Sequence, residues 1–370
     1  SEYRATPFWA WNTKLDQGLL NKEIECMKEM GFGGFHMHTR VGMSTKYLSE
    51  EFMQFIKGCV EKAKEEEMLA WLYDEDKWPS GYAGGYVTKN KEFRKKHLLF
   101  TTTPYSDNGE IEHKDGLIED ANAHGERTEN GVLLRKYDVR LDKDGFLAAY
   151  KVLKENDEAV GTVWYAYMET ANDSAWFNNE AYVDTLSKAA IDEFIKITHE
   201  EYKKNVGDSF GGDIPAIFTD EPQFTTKETL DFATDKTDLC IPFTTDFEET
   251  YFNTYNESFL EKLPEVFFEL KGKVSVTRYN YHDHIAERFV TAFADNVGDW
   301  CKKNGLMLTG HVMEEPTLQR QIHATGEAMR SYRSFTLPGV DMLQDYRELN
   351  TVKQAASATH QYGYPGVTSE

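Results

Sequence analysis

Cysteine is scarce in this chain: four in 370 residues, at Cys26, Cys59, Cys240 and Cys301. They are far apart in sequence and form no Cys-x-x-Cys, so they read as reduced thiols and give no disulfide framework. Positive charge is also short. There are 41 Lys and Arg against 63 Asp and Glu, a net charge of -22, and no basic cluster. That balance argues against nucleic acid or an anionic membrane as partner. No apolar run reaches the length of a membrane span, and no signal peptide opens the chain, which begins at Ser1; a cytoplasmic address is the default expectation. There is no Gly-x-Gly-x-x-Gly at the first strand's turn, which argues against a dinucleotide-binding open sheet.

What is abundant is aromatic residues, 14% of the chain, within a hydrophobic content of 40%. Aromatic excess suits a carbohydrate-facing cleft, where rings stack on sugar faces, and equally a large core. The length allows one large α/β domain, perhaps with an insertion.

The chain is organised around Ile214 to Phe224. Ile-Pro-Ala-Ile-Phe reads as a strand buried on both faces, and it breaks at Thr219-Asp220-Glu221-Pro222, where Pro222 stops the ladder. The same rhythm precedes it. Strands at 7–12, 34–38 and 69–73 alternate with helices from Asp16 to about Met30 (Leu19, Leu20, Ile24 and Met27 inward) and from Ser49 to about Glu66. After the fourth strand the pattern predicts a long loop over 224–254 and helices near 257–271 and 281–303. Strands at 306–313, 340–343 and 366–370 follow, with helices at 318–329 and 350–361 between them. Residues 90–170 break the rhythm with short, polar-flanked β segments. The fold expected is therefore a (β/α)8 barrel of TIM type, incomplete at its C-terminal end, with residues 1–370 a single catalytic domain and 90–170 a β-rich insertion after the third strand.

The strand ends carry the chemistry: His36 and His38, Asp74 to Asp76, Asp220 and Glu221, Glu314 and Glu315, Asp341, Glu370. Such a barrel places these at one mouth. Crowded carboxyls raise one another's pKa, so one stays protonated while another stays ionised, as cleavage of a glycosidic bond by two carboxyls requires. Candidate sugar contacts are His36, His38, Asp74, Trp78, Asp220, His311 and Asp341. An ordinary acidic turn, or a satisfied core histidine, is the plain alternative at each. The His-x-His pair invites zinc, but no third histidine or cysteine stands at a ligand spacing.

Thr-Asp-Glu-Pro at the fourth strand resembles the acid/base motif of the retaining clan A glycoside hydrolases, which implies Glu221 as acid/base and Glu370 as nucleophile. Several longer stretches resemble bacterial glycoside hydrolase family 106, the α-L-rhamnosidases. These are Pro-Phe-Trp-Ala-Trp-Asn at 7–12, Gly-Phe-Gly-Gly-Phe-His-Met-His at 31–38, Trp-Pro-Ser-Gly-Tyr-Ala-Gly-Gly at 78–85, Phe-Thr-Asp-Glu-Pro at 218–222, Gly-His-Val-Met-Glu-Glu at 310–315 and Pro-Gly-Val-Asp at 338–341. That resemblance implies inversion, with Glu221 as general acid, an acid such as Glu315 as base, and a calcium ion at the site. Whether Glu314, Glu315 or Glu370 is the second carboxylate stays open. The expected function is glycoside hydrolysis of rhamnosidase type, acting on a carbohydrate partner. Two rivals remain: a non-catalytic carbohydrate-binding barrel, and metal-dependent hydrolysis of another bond.

Overall fold

The computed structural model describes residues 4–105, 124–128, 131–342 and 348–370. Seven parallel strands form one sheet: β1 (Phe8–Trp11), β2 (Gly34–Thr39), β3 (Leu69–Tyr73), β8 (Ala216–Asp220), β10 (Met307–His311), β11 (Leu337–Val340) and β12 (Thr368–Ser369), neighbours in that order. Between them run β4 (Lys96–Thr101), β5 (Val132–Leu141), β6 (Leu147–Val152), β7 (Thr162–Thr170) and β9 (Leu239–Pro242), which build a second, antiparallel sheet in the order β6-β5-β7-β4-β9.

The local rules held where the pattern was periodic. The helix Gln17–Glu29 starts at Asp16, whose side chain accepts from the Leu19 amide, and buries Leu20, Ile24 and Met27. Leu19 is exposed, on the wet side of that stripe. The helix Glu50–Glu65 starts at Ser49 in the same way and buries Phe52, Met53, Ile56 and Val60. A side-chain cap of this kind is worth about 1 kcal/mol. The next helical stretch starts at Lys188, capped by Ser187, and passes through a π-helical turn at Ile195–His199 into Glu200–Val206.

The (β/α)8 barrel of TIM type, incomplete only at its C-terminal end, does not hold. The parallel sheet is a half-barrel whose end strands, β1 and β12, pair with β2 and β11 and not with each other. A cavity of about 1000 Å³ lies along the concave face, with Phe8 and Thr368, one from each end strand, on its walls. Alternating strand and helix text dictates parallel pairing. Closure is a contact between the two ends of the sheet, which no local pattern encodes.

The β-rich stretch is also not self-contained. β4 pairs with β7 on one edge and with β9 on the other, and β9 lies in the 224–254 region read as loop. Leu-Cys-Ile-Pro is short and ends in proline, but all four residues are buried. This sheet packs through Phe100, stacked on Trp164 at 4.6 Å and on Phe267 at 4.5 Å. Phe267 belongs to the region expected as one helix over 257–271, which is two short turns, Phe259–Lys262 and Pro264–Phe267. The sixth strand falls earlier than expected, at Leu337–Val340, and Leu343 lies outside the described residues.

Candidate active site

Side chains alternate along a strand. On β8, Phe218 and Asp220 therefore share one face, as do Trp71 and Tyr73 on β3, Thr309 and His311 on β10, and Thr368 and Glu370 along β12. The contacts show this to be the concave face. Phe218 meets Phe8, His36 and His311, and Thr309 bonds Thr368 through their hydroxyls at 2.9 Å.

His311, the last residue of β10 and fully buried, is the hub. Its Nε2 lies 3.0 Å from Glu370 Oε2 and 3.6 Å from Asp220 Oδ1, and its Nδ1 lies 3.4 Å from Glu315 Oε1. β10 sits this close to β8 because residue 310 is glycine, at φ +116: a Cβ there would meet the Thr219 carbonyl oxygen at 1.8 Å. Past β10 the chain turns through Glu314, at φ +62, and brings Glu315 back under His311. The Glu315 carbonyl is held by the buried amides of Gln321 (2.7 Å) and Gln354 (3.0 Å). Glu314 points away from this group and pairs with Arg320 at 3.3 Å.

Glu221 follows β8 directly, half-buried and in the left-handed region at φ +46. A non-glycine residue held there costs about 1–3 kcal/mol and persists only where its surroundings fix it. They do so through Ser80. Its amide donates to the Asp220 carbonyl at 2.7 Å, and its hydroxyl accepts from the Asp220 amide at 2.8 Å and donates to Asp74 Oδ1 at 2.5 Å. Tyr73 donates its hydroxyl to Asp220 Oδ2 at 2.6 Å.

The charges follow from this crowding. Burial, then the neighbouring Asp220, and less strongly Asp341 and Glu315, push the Glu221 carboxyl up to about 8, against the pull of His311. Burial also raises Asp341 to about 6 and Asp74 to about 7, and raises Asp220. For His311, burial opposes charge, but its bonds to Glu315 and Glu370 and the Asp220 charge hold the imidazolium well above the usual range. The crowding therefore favours a protonated Glu221 carboxyl beside a cationic histidine.

Of the residues expected from sequence, the fold brings Asp220, Glu221, His311, Glu315, Asp341 and Glu370 together. It separates the others. His36 lies deeper along the concave face, against Phe8 and Trp71, and burial holds it neutral, near 4. His38 packs against Tyr73, ring centroids 4.2 Å apart and tilted by 55°, and is held near 3 by burial, with Arg40 adding to the effect. Asp74 points to the opposite face of β3 and is fully buried on Ser80, out of reach of a substrate. Trp78 is half-buried, its ring 5.3 Å from Trp176, whose indole nitrogen donates to the Trp78 carbonyl at 2.9 Å. Tyr73, Ser80, Gln321 and Gln354 were missed. Only Tyr73 had a local signal, its place in the last position of a strand on the face of Trp71.

Glu221, His311 and Asp341 each offer a ligand atom within 4.8 Å of the others, close enough to hold one metal ion. Asp341 Oδ1 is buried without a hydrogen-bond partner among the described residues, and Glu315 Oε1 faces His311 Nδ1 at 3.4 Å.

No protein-family model and no curated protein matches the chain by sequence. In structure it is similar to a rhamnosidase from Novosphingobium sp. PP1Y, with a TM-score of 0.61 over 99% of this chain at 13% identity. The chain spans about half the length of that protein, 52%. The likeness is one of fold. Among the described residues no helix is long and apolar enough to cross a membrane.

Proposed function

We propose that this fold houses a glycoside hydrolase of rhamnosidase type, related to family 106, in which Glu221 is the general acid. The observation that carries the reading is a carboxyl held protonated to about pH 8 among carboxylates gathered on a cationic His311. A proton donor must keep its proton at working pH and release it to the leaving oxygen, and burial beside Asp220 poises Glu221 for that. Glu315 is the base that takes a proton from water. Its carbonyl is fixed by Gln321 and Gln354, and its Oε1 lies 3.4 Å from His311 Nδ1. His311 holds Glu315 and Glu370 apart on its two nitrogens, and Glu370 is the more exposed of the two.

The donors fit a calcium ion better than zinc. Both His311 nitrogens face carboxylates, so the open ligands are oxygens, with Asp341 Oδ1 unpartnered among the described residues. A bound Ca²⁺ would supply a positive anchor for substrate hydroxyls. Titration of the chelated protein with Ca²⁺ and with Zn²⁺ in a calorimeter checks this; tighter zinc than calcium binding rejects it.

The test of the acid is Glu221→Gln. Turnover of a rhamnoside with a poor leaving group should fall ~10²–10⁴-fold, with a much smaller loss for an activated aryl rhamnoside, which needs less protonation. Sugar affinity should persist. Wild-type turnover by this variant on the poor substrate would reject the assignment.

A further inference from the structure

Glu75, two residues past β3, is fully buried and takes no part in the chemistry assigned to Glu221. Its carboxylate is the centre of the loop that follows it. Oε1 accepts the amides of Asp76 at 2.8 Å and Gly84 at 2.6 Å, and Oε2 accepts those of Gly81 at 3.0 Å and Ala83 at 2.8 Å. The loop can aim these amides inward because Gly81, Ala83 and Gly84 sit at positive φ, +130, +50 and +61. Backbone N–H groups turned to one point in this way form an anion-binding concavity, and here the chain's own side chain fills it. Ala83 is not glycine, so its left-handed backbone costs roughly 1–2 kcal/mol, which the four bonds offset.

Burial pushes the Glu75 carboxyl up, with the Asp74 charge adding, while the amides of Asp76, Gly84 and Ala83 pull against it. Each carboxylate oxygen offers two lone pairs, and each already accepts two N–H bonds, so a proton could enter only by displacing an amide. What the bonded loop fixes is Ser80. Gly81, held on Oε2, is the next residue, and Tyr182 donates its hydroxyl to the Ser80 carbonyl at 2.8 Å. Ser80 in turn bonds both the amide and the carbonyl of Asp220, the residue before Glu221.

We infer that Glu75 is a positioning residue for Glu221, an inference that rests on the reading of Glu221 as the acid. The Glu75 carboxylate shapes the loop 76–84, the loop holds Ser80, and Ser80 holds the end of β8 so that Glu221 stays in its left-handed conformation near His311 and Asp341. Glu75 itself touches neither substrate nor the reacting atoms.

Glu75→Gln tests this, since it keeps the size but puts a donor where two of the amides need an acceptor. The readout is the titration of the Glu221 carboxyl by ¹³C NMR, on protein labelled at the glutamate carboxyl carbons, with the signal identified by its loss in Glu221→Gln. No substrate is involved. The wild-type midpoint tests the acid; the difference between wild type and Glu75→Gln tests the positioning. In folded Glu75→Gln the midpoint should fall by about one pH unit or more, because a released Glu221 turns to water. Ser80→Ala should lower it in the same way, and the double variant no further. Gly363→Ala, which strains a helix end instead of this loop, should leave it unmoved. A midpoint unmoved by Glu75→Gln, or shifts that add in the double variant, overturns the proposal. If Glu75→Gln does not fold, hydrogen exchange on the wild type decides. The Ser80 amide should open together with those of Gly81, Ala83 and Gly84, with protection equal within about threefold; a Ser80 amide that stays protected after those three have exchanged overturns it.

Discussion

At the scale of single residues, environment decides what an acid or base does. Asp74 and Glu221 are both carboxyls at strand ends, and both are raised, to about 7 and about 8. Asp74 spends its position on Ser80 and holds the end of β8, whereas Glu221 faces the hub. If Glu221 is the acid, turnover should decline as pH rises through about 8, as its proton is lost, and a pH profile of kcat/KM checks that limb. His199 gives a prediction about stability. It sits against Phe194 and Trp300, fully buried, with neither nitrogen bonded among the described residues. Burial lowers it to about 3. Between about pH 6.5 and 3 the unfolded chain binds a proton there and the native chain does not, so stability falls as pH falls, by up to about 1.4 kcal/mol per pH unit. His199→Phe should reduce the slope between pH 7 and pH 5 by about that amount, read from denaturant midpoints.

At the scale of elements, the site depends on how closely strands approach. Gly310 allows β10 to lie against β8 with His311 opposite Asp220. Gly310→Ala places a methyl at 1.8 Å from the Thr219 carbonyl at a left-handed φ and should cost roughly 3 kcal/mol or more. Gly363→Ala is the matched control. That glycine, at φ +71, ends the helix Leu349–Tyr362 with nothing within 4 Å of a Cβ, so only a backbone cost of about 1 kcal/mol applies. Equal losses for the two variants, measured by urea denaturation, would show that strand approach is not the constraint.

The whole molecule carries a net charge of -22, with several acids concentrated on one face of a sheet. Self-repulsion of this kind reaches far at low salt, where the screening length is about 30 Å, and little at physiological salt, where it is about 8 Å. The melting temperature should therefore rise with neutral salt between about 10 and 150 mM; calorimetry that finds no rise would mean local ion pairs already balance the charge.

The acids were legible one by one because each follows a short apolar run: Asp220 and Glu221 after Ala-Ile-Phe, His311 and Glu315 after Met-Leu-Thr-Gly, Asp341 after Leu-Pro-Gly-Val. Period-2 alternation settles which of them can share a face, and the caps at Asp16 and Ser49 settle where the first two helices begin; these are contacts among residues a few positions apart. Tertiary structure alone decided that the parallel sheet stays open, that β9 joins β4 across more than a hundred residues, that Asp74 is a support for β8 and that His311 collects Asp220, Glu315 and Glu370. Those facts depend on pairings between distant segments, whose entropy cost is repaid by burial in the assembled core and leaves no periodic trace in the chain.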